Sequence, residues 1–161
     1  MTIVEPLLPE HFEQVAGWLS RPETNKWLSG EWRDHEATPS ILAIVVRNRR
    51  NKLYLVRHES SPCGLVGLAD IDPADRTAMV WYLLGDERLK GRGIVSEAVR
   101  QMTRLAFSEL SLASLYAWIM EDNIASRRVL EKSGFRECGR FRNAACCNGK
   151  QLDRIYFDLI P

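Results

Sequence analysis

Residues 80–96 read Val80-Trp-Tyr-Leu-Leu-Gly-Asp-Glu-Arg-Leu-Lys-Gly-Arg-Gly-Ile-Val-Ser96: an apolar segment, a basic loop with two glycines, and the start of a helical pattern. Gly91 and Gly93 allow the backbone to curl with its N–H groups pointing inward. A helix that opens near Ile94 adds its unpaired N–H groups and the positive end of its dipole. The order strand, glycine loop, helix therefore predicts an anion site into which a phosphate fits.

The spacing within this loop argues against two common phosphate-binding motifs. No Lys-Ser or Lys-Thr pair follows the second glycine, as a Walker loop requires, and the third glycine of the dinucleotide fingerprint is absent. Three cations, Arg88, Lys90 and Arg92, fall within five positions. We expect them to neutralise phosphate charge while backbone N–H groups supply the geometry; the alternative is a solvated basic loop.

A second segment, residues 123–135, contains Asn123, then Ser126, and ends in Lys-Ser-Gly-Phe. The glycine loop and this segment, in this order, resemble the two signatures of the GNAT superfamily of acetyl-CoA-dependent N-acetyltransferases, whose pyrophosphate loop reads Gln/Arg-x-x-Gly-x-Gly/Ala. A C-terminal run with Gly-Arg-Phe-Arg, Asn-Gly-Lys and Asp-Arg-Ile-Tyr-Phe is most similar to the RimJ/RimL-like branch. The resemblance is firm from Gly64 to Pro161 and looser before that.

Periodicity predicts strands alternating with helices, which is typical of an α/β (α+β) protein. The predicted strands cover 3–7, 52–58, 64–71, 77–84, 115–120, 135–142 and 151–160. The predicted helices cover 9–20, 39–48, 94–109 and 124–133, with a short helix or turn at 22–28. The resemblance implies the GNAT fold: a central mixed, mostly antiparallel sheet of about seven strands, with a splay between the fourth and fifth, flanked by about four helices.

Length and composition limit the classes of function. A chain of 161 residues fits one domain, residues 1–161, with a real core. The formal net charge of +1 predicts neither nucleic acid nor a membrane as partner. The four cysteines include no Cys-x-x-Cys pair, so we expect no metal site. Without a signal sequence or an apolar run of ~20 residues we expect a cytoplasmic protein, and an exposed C-terminal hairpin is compatible with a homodimer.

The resemblance implies acetyl-CoA as the cofactor and a place for each of its parts. The pantetheine arm would lie in the gap between the strands at 77–84 and 115–120. The thioester would lie beside Tyr82 to Leu84, whose backbone N–H groups would hold the developing oxyanion. The residues that the resemblance implies in cofactor binding are Leu83, Leu84, Arg88, Lys90, Gly91, Arg92, Gly93, Ile94, Ser96, Asn123 and Ser126.

Direct attack by an amine needs no serine or cysteine nucleophile, and the chain has no ordered Ser/His/Asp set. An alkyl amine with a pKa near ~10 must lose a proton, and the departing thiolate must gain one. Ser126 is the first candidate for the proton donor, by resemblance to RimL-like members; the alternative is a hydroxyl that only helps to cap its helix. Leu130 stands where many other GNAT enzymes have a tyrosine acid.

No single carboxylate stands out as the general base. Met79 occupies the strand position at which many relatives have a glutamate. Asp70 or Asp72 could act through water, but Asp72 precedes a proline and is typical of a turn. Glu97 is explained by its favourable interaction with the helix dipole. Asp70 is therefore the candidate base.

Aromatic and acidic residues cluster in the N-terminal part, where GNAT proteins usually form part of the acceptor pocket. Trp27, Trp32 and Glu31 are the candidate substrate-binding residues, because aromatic rings beside a carboxylate suit a cationic amine. The alternative places Trp18 in the core and the acids of this region on the surface.

The resemblance predicts an N-acetyltransferase whose acceptor is a protein N-terminal amine or a small amine, the amino group of a nucleotide-linked sugar included. A different class is a non-catalytic module that senses acyl-CoA, an alternative that Met79 and Leu130 keep open. A third is phosphate binding to a nucleotide alone, which predicts stabilisation by ATP rather than by CoA.

Overall fold

Seven strands form one sheet in the order β1-β2-β3-β4-β5-β7-β6 in the computed structural model, which describes residues 1–161. The strands are β1 (Thr2–Pro6), β2 (Lys52–His58), β3 (Ser61–Asp72), β4 (Thr77–Leu84), β5 (Ser114–Met120), β6 (Arg136–Cys147) and β7 (Lys150–Leu159). The α-helices are α1 (Phe12–Leu19), α2 (Pro22–Asn25), α3 (Gly30–Arg33), α4 (Pro39–Arg47), α5 (Ile94–Ser108) and α6 (Ile124–Lys132), and 3-10 turns lie at Pro9–His11 and Glu87–Leu89. The α/β class and the seven strands are confirmed, and α1, α4, α5 and α6 are the four substantial helices.

The sheet is antiparallel except between β4 and β5, which are parallel. These two strands pair only along Thr77–Met79, opposite Ser114–Tyr116. Beyond that point residues 80–84 still pair with β3, and residues 117–120 still pair with β7, but not with each other. The predicted splay is therefore confirmed, and it leaves backbone groups of both strands without ladder partners on the side of the gap.

Helices cover both faces of the sheet. α5 packs Ala98, Val99 and Met102 into one apolar cluster, and α1 and α4 belong to a second cluster on the opposite face. Adjacent residues of β3, Leu65 and Val66, enter different clusters because successive side chains of a strand point to opposite faces. None of the helices combines the length and the hydropathy of a membrane span.

α4 forms although its sequence is rich in β-branched residues, which favour strands. The Thr38 side chain accepts a hydrogen bond from the Ile41 amide at 3.2 Å, and Pro39 occupies the first turn. Both features stabilise a helix start, and Leu42 is fully buried. Capping and burial thus outweigh propensity, and the predicted helix is confirmed.

The structure differs from the sequence-based bounds in three places. β3 begins at Ser61, so that the preceding turn is only Glu59–Ser60, both residues having positive φ. β6 continues to Cys147, beyond the predicted end at 142; most of its residues are exposed and its register shifts twice, so no alternation marks its length. α3 was not predicted, because a helix of four residues is too short to show a period.

Gly64 faces the backbone of β4 at very short range. A Cβ atom here would lie 2.6 Å from the Leu83 carbonyl oxygen, so the two strands would have to move apart. We expect Gly64→Ala to lower the free energy of unfolding by about 1–3 kcal/mol. Gly17→Ala in α1, where a Cβ meets nothing within 4 Å, is the matched control and should raise it by about 0.5–1 kcal/mol. Urea denaturation measures both values, and a neutral Gly64→Ala would contradict the close approach.

Candidate active site

The loop between β4 and α5 has the backbone geometry of an anion site. Gly91 and Gly93 have φ values of 79° and 76°, which favour glycine. The amides of Gly91, Gly93, Ile94, Val95 and Ser96 donate to no backbone carbonyl of the protein. A Cβ at either glycine would meet nothing within 4 Å, so the loop has open space beside it. A diphosphate therefore fits these residues, with the α5 dipole adding to the attraction.

Two of the three loop cations are already paired within the loop. The Arg88 guanidinium donates to both carboxylate oxygens of Asp86 at 2.9 and 2.8 Å, and Lys90 lies 2.7 Å from Glu87. The hydrogen bond from Arg88 lowers the pKa of the Asp86 carboxyl. Arg92 is in no ion pair. Its guanidinium and the free amides of the loop are therefore available to bind a phosphate.

A cavity of about 490 Å³ opens from the splay between β4 and β5 and continues towards the N-terminal helices. Its lining at the splay end includes Val80, Tyr82, Ala117, Ile119, Asn123 and Ser126. Its lining at the other end includes Trp27, Glu31, Trp32, Asp70, Met79 and Arg154. The six predicted residues Asn123, Ser126, Asp70, Trp27, Trp32 and Glu31 are thus brought together, whereas Leu83, Leu84 and the glycine loop lie outside this cavity.

At the start of α6, the Asn123 side chain accepts a hydrogen bond from the Ser126 amide at 3.2 Å. Asn123 is therefore the N-cap, as its residue type predicts, and Ser126 supplies the capped amide. The Ser126 hydroxyl is not the capping group, and the residue faces the cavity. Leu130, one turn further along α6, is fully buried in the core.

The side chain of Tyr82 is a functional group at the splay that the sequence did not reveal, since Tyr82 was expected to act only through its backbone amide. Its hydroxyl donates to the Ser126 carbonyl oxygen at 3.2 Å, joining β4 to α6 across the gap. Burial raises the pKa of the Tyr82 phenol above its ordinary value, so the hydroxyl stays protonated. The signal in the sequence is the single phenol on the strand before the glycine loop, whereas the family resemblance implies a tyrosine acid only at the position of Leu130.

Of the two candidate carboxylates on β3, only Asp70 lines the cavity. It lies in a bulge between Ala69 and Asp72, with φ of 50°, a left-handed conformation uncommon for a non-glycine residue. Asp72 instead accepts hydrogen bonds from the Ala74 and Asp75 amides at 2.8 and 3.0 Å. These bonds lower the pKa of the Asp72 carboxyl, which confirms its expected turn role.

The far end of the cavity is aromatic. The rings of Trp32 and Trp81 lie 5.5 Å apart, and Trp32 is only 8% exposed. Glu31 is exposed at the mouth. Trp18 is buried in the core, as the alternative interpretation expected, and Asp34 is exposed and paired with its neighbour Arg33. No group of three or more His, Cys, Asp or Glu residues could hold a metal ion.

Comparison with known proteins places this site in a family. A family model for the acetyltransferase (GNAT) domain matches residues 2–136. The chain belongs to the GNAT acetyltransferase family. GNAT acetyltransferases use acetyl-CoA as the acetyl donor, which fits the anion loop and the splay, and the predicted family is confirmed.

Curated relatives match over part of their length. YdaF of Bacillus subtilis (strain 168), provisionally named a ribosomal N-acetyltransferase, is 33% identical over 103 residues, 64% of this chain and 56% of that protein. The probable N-acetyltransferase YjcK of the same organism is 43% identical over 74 residues, 46% of this chain and 40% of that protein. The chain spans about half the length of these two relatives.

Solved structures match over nearly the whole chain. The crystal structure of a probable acetyltransferase superposes with a TM-score of 0.83 at 25% identity, over 99% of this chain and 92% of that chain. Spermidine N-acetyltransferase from Vibrio cholerae, in complex with CoA and spermine, superposes with a TM-score of 0.85 at 15% identity, over 99% of this chain and 95% of that chain. At that identity the likeness shows the fold alone.

Proposed function

We propose that this protein transfers the acetyl group of acetyl-CoA to a primary amine by direct attack of the nitrogen. The observation that carries the proposal is the single cavity of about 490 Å³ that joins the splay to an aromatic and acidic end. Such a cavity holds a thioester and an amine side by side, and this alignment supplies much of the rate. Family membership and the free amides of the glycine loop support the same reaction.

The loop and the splay each bind a different part of the cofactor, which supplies the reactive thioester when bound. The amides of Gly91 and 93–96 bind the diphosphate, assisted by Arg92 and, after exchange with Asp86, by Arg88. Asn123 and the unpaired backbone of β4 line the path of the pantetheine arm. Backbone amides near Leu83 and Leu84 are the proposed donors to the oxyanion.

Two hydroxyl groups and one carboxylate at the cavity can donate and accept the protons that the reaction transfers. Tyr82 and Ser126 are the candidates to protonate the departing thiolate, and the raised pKa of Tyr82 keeps that donor loaded at neutral pH. Asp70 is the candidate to accept the proton of the amine, through water. These titratable groups favour transfer over the non-catalytic sensor that Met79 and Leu130 left open.

The acceptor is a primary amine, either a protein N-terminus or a small molecule. The RimJ/RimL-like assignment and YdaF favour the first, because YdaF is named for a ribosomal substrate. The aromatic end of the cavity favours the second, and an amino group on a nucleotide-linked sugar is one such amine. Cytoplasmic location and a homodimer stay predictions.

A thiol-release assay with acetyl-CoA, run over small amines and ribosomal peptides, tests the reaction. We expect free thiol in equal amount to acetylated amine. Thermal melting with CoA, acetyl-CoA and ATP tests binding, and a ligand at about a hundred times its Kd should add ~2.7 kcal/mol of stability. Stabilisation by acetyl-CoA without thiol release would establish a sensor, and stabilisation by ATP alone would establish a nucleotide site.

A further inference from the structure

Arg154 of β7 presents a guanidinium to the cavity without a partner. Its charged carbon lies 4.1 Å from the centre of the Trp118 ring, and both residues line the cavity. The Nε atom is inaccessible to solvent and has no hydrogen-bond acceptor. The two terminal nitrogens also make no hydrogen bond or ion pair within the protein, and unlike Nε they are accessible, so they are the atoms that can donate to a ligand in the cavity.

The acids of the cavity do not neutralise this cation. Neither Glu31 nor Asp70 lies within 4 Å of Arg154, although both line the same cavity. Asp153 is adjacent to Arg154 in the sequence, and Glu121 follows Met120, the partner of Arg154 in β5; both are bound instead to Arg140, at 2.6 and 3.5 Å. Arg154 therefore keeps its full charge available to a ligand.

The guanidinium carbon lies over the Trp118 ring, and the two terminal nitrogens have no partner within the protein. A guanidinium in this arrangement donates two parallel hydrogen bonds to a carboxylate or phosphate. Arg50, the other arginine of the cavity, is exposed to solvent and therefore contributes a weaker, screened attraction. The cavity thus offers separate places for a positive and a negative group of one ligand.

We infer that the acceptor amine also has an anionic group, a carboxylate or a phosphate, which binds Arg154 while the nitrogen lies on the side of Glu31 and Asp70. The inference rests on the proposed acetyl transfer and narrows its acceptor to small amines that bear such a group. A polyamine or an amine without an anionic group would leave the Arg154 guanidinium without a partner of opposite charge. The protein should therefore bind an amine that has an anionic group more tightly than the matched amine that lacks one.

Matched ligand pairs test this selectivity directly. Leucine with leucinamide, and phosphoethanolamine with ethanolamine, differ in the anionic group, and the two pairs distinguish carboxylate from phosphate. Binding to the CoA-loaded protein is measured by calorimetry, and turnover by thiol release. In at least one pair the anionic member should bind about ten- to a hundredfold more tightly, the range expected for a charged hydrogen bond.

Arg154→Gln should reduce this ratio to about twofold or less, while stabilisation by CoA stays unchanged. Arg136→Gln, which removes an exposed arginine outside the cavity, should preserve the ratio. The two ligands of a pair have different amine pKa values, but this difference affects every protein equally. It therefore cancels when the affinity ratio of the unmutated protein is compared with that of a variant. Equal binding within both pairs by the unmutated protein, no binding of any of the four ligands, or an unchanged ratio in Arg154→Gln would overturn the inference. A preserved binding ratio without thiol release would instead refute acetyl transfer alone.

Discussion

Gly91→Asp is expected to abolish the thermal stabilisation of the protein by CoA. The substitution places a carboxylate among the free amides of Gly91, Gly93 and the first turn of α5, where the diphosphate is proposed to bind. Like charges repel, and the aspartate can itself accept hydrogen bonds from those amides. Stabilisation of about 2.7 kcal/mol at a hundredfold excess over Kd should fall to nearly zero.

Two variants separate charge from backbone strain in this experiment. Gly91→Asn has almost the same shape and the same left-handed φ but no charge, and should keep a reduced CoA shift. Gly149→Asp makes the same substitution in the β6–β7 turn, at a φ of 75° with nothing within 4 Å of the added Cβ. CoA should raise the melting temperature of this variant by as much as it raises that of the unmutated protein. A full CoA shift in Gly91→Asp would exclude this loop as the cofactor site.

The loop could be predicted from sequence because its geometry depends on near neighbours. The left-handed glycines and the start of α5 follow from residue type and from the apolar period that begins at Ile94. The hairpin turn at Asn148–Gly149 was predictable for the same reason, and both residues have positive φ. The ion pairs of the loop could not be predicted from the sequence. Asp86 and Glu87 each have three cations nearby in the chain, and side-chain packing decides which cation each acid binds.

The cavity depends on contacts between distant parts of the chain, which no local pattern encodes. Tyr82 and Ser126 are 44 residues apart and meet only because β4 and β5 separate beyond Met79. Arg154 reaches the cavity because β7 pairs with β5 in a register that sets it beside Met120. The resemblance implied the splay, Ser126 and the backbone amide of Tyr82, but neither the resemblance nor the hydrophobic periodicity indicated the Tyr82 hydroxyl or Arg154.

Tyr82→Phe is expected to lower turnover by about a hundredfold or more, the usual contribution of a general acid, with little change in the affinity for acetyl-CoA. Burial raises the pKa of the Tyr82 phenol and so weakens it as an acid, but a phenol is still a stronger acid than an aliphatic hydroxyl such as that of Ser126. Before it can serve the thiolate, the Tyr82 proton must leave the Ser126 carbonyl. This step breaks one neutral hydrogen bond, worth about 1 kcal/mol, which is small beside the expected gain.

Ser126→Ala should lower turnover by about tenfold and lower cofactor affinity less, because Asn123 still caps α6 and Tyr82 still binds the carbonyl at 126. Equal losses of turnover and affinity in Ser126→Ala would assign that hydroxyl a structural role. Tyr54→Phe removes a partly buried phenol outside the cavity and should leave turnover unchanged. A Tyr82→Phe enzyme with normal turnover would leave Ser126 as the remaining donor.

The dependence of turnover on pH distinguishes a proton donor from a residue that only holds Ser126 in place. Because the pKa of Tyr82 is raised, its protonated form persists as pH increases, and donation should fail only above the ordinary phenol value near ~10. Turnover should therefore rise as the amine loses its proton and stay high to at least that pH. If Tyr82 only positioned Ser126, Tyr82→Phe and Ser126→Ala would cause similar losses, and combining them would add little. With independent donation by Tyr82, the double variant should lose more than either single one.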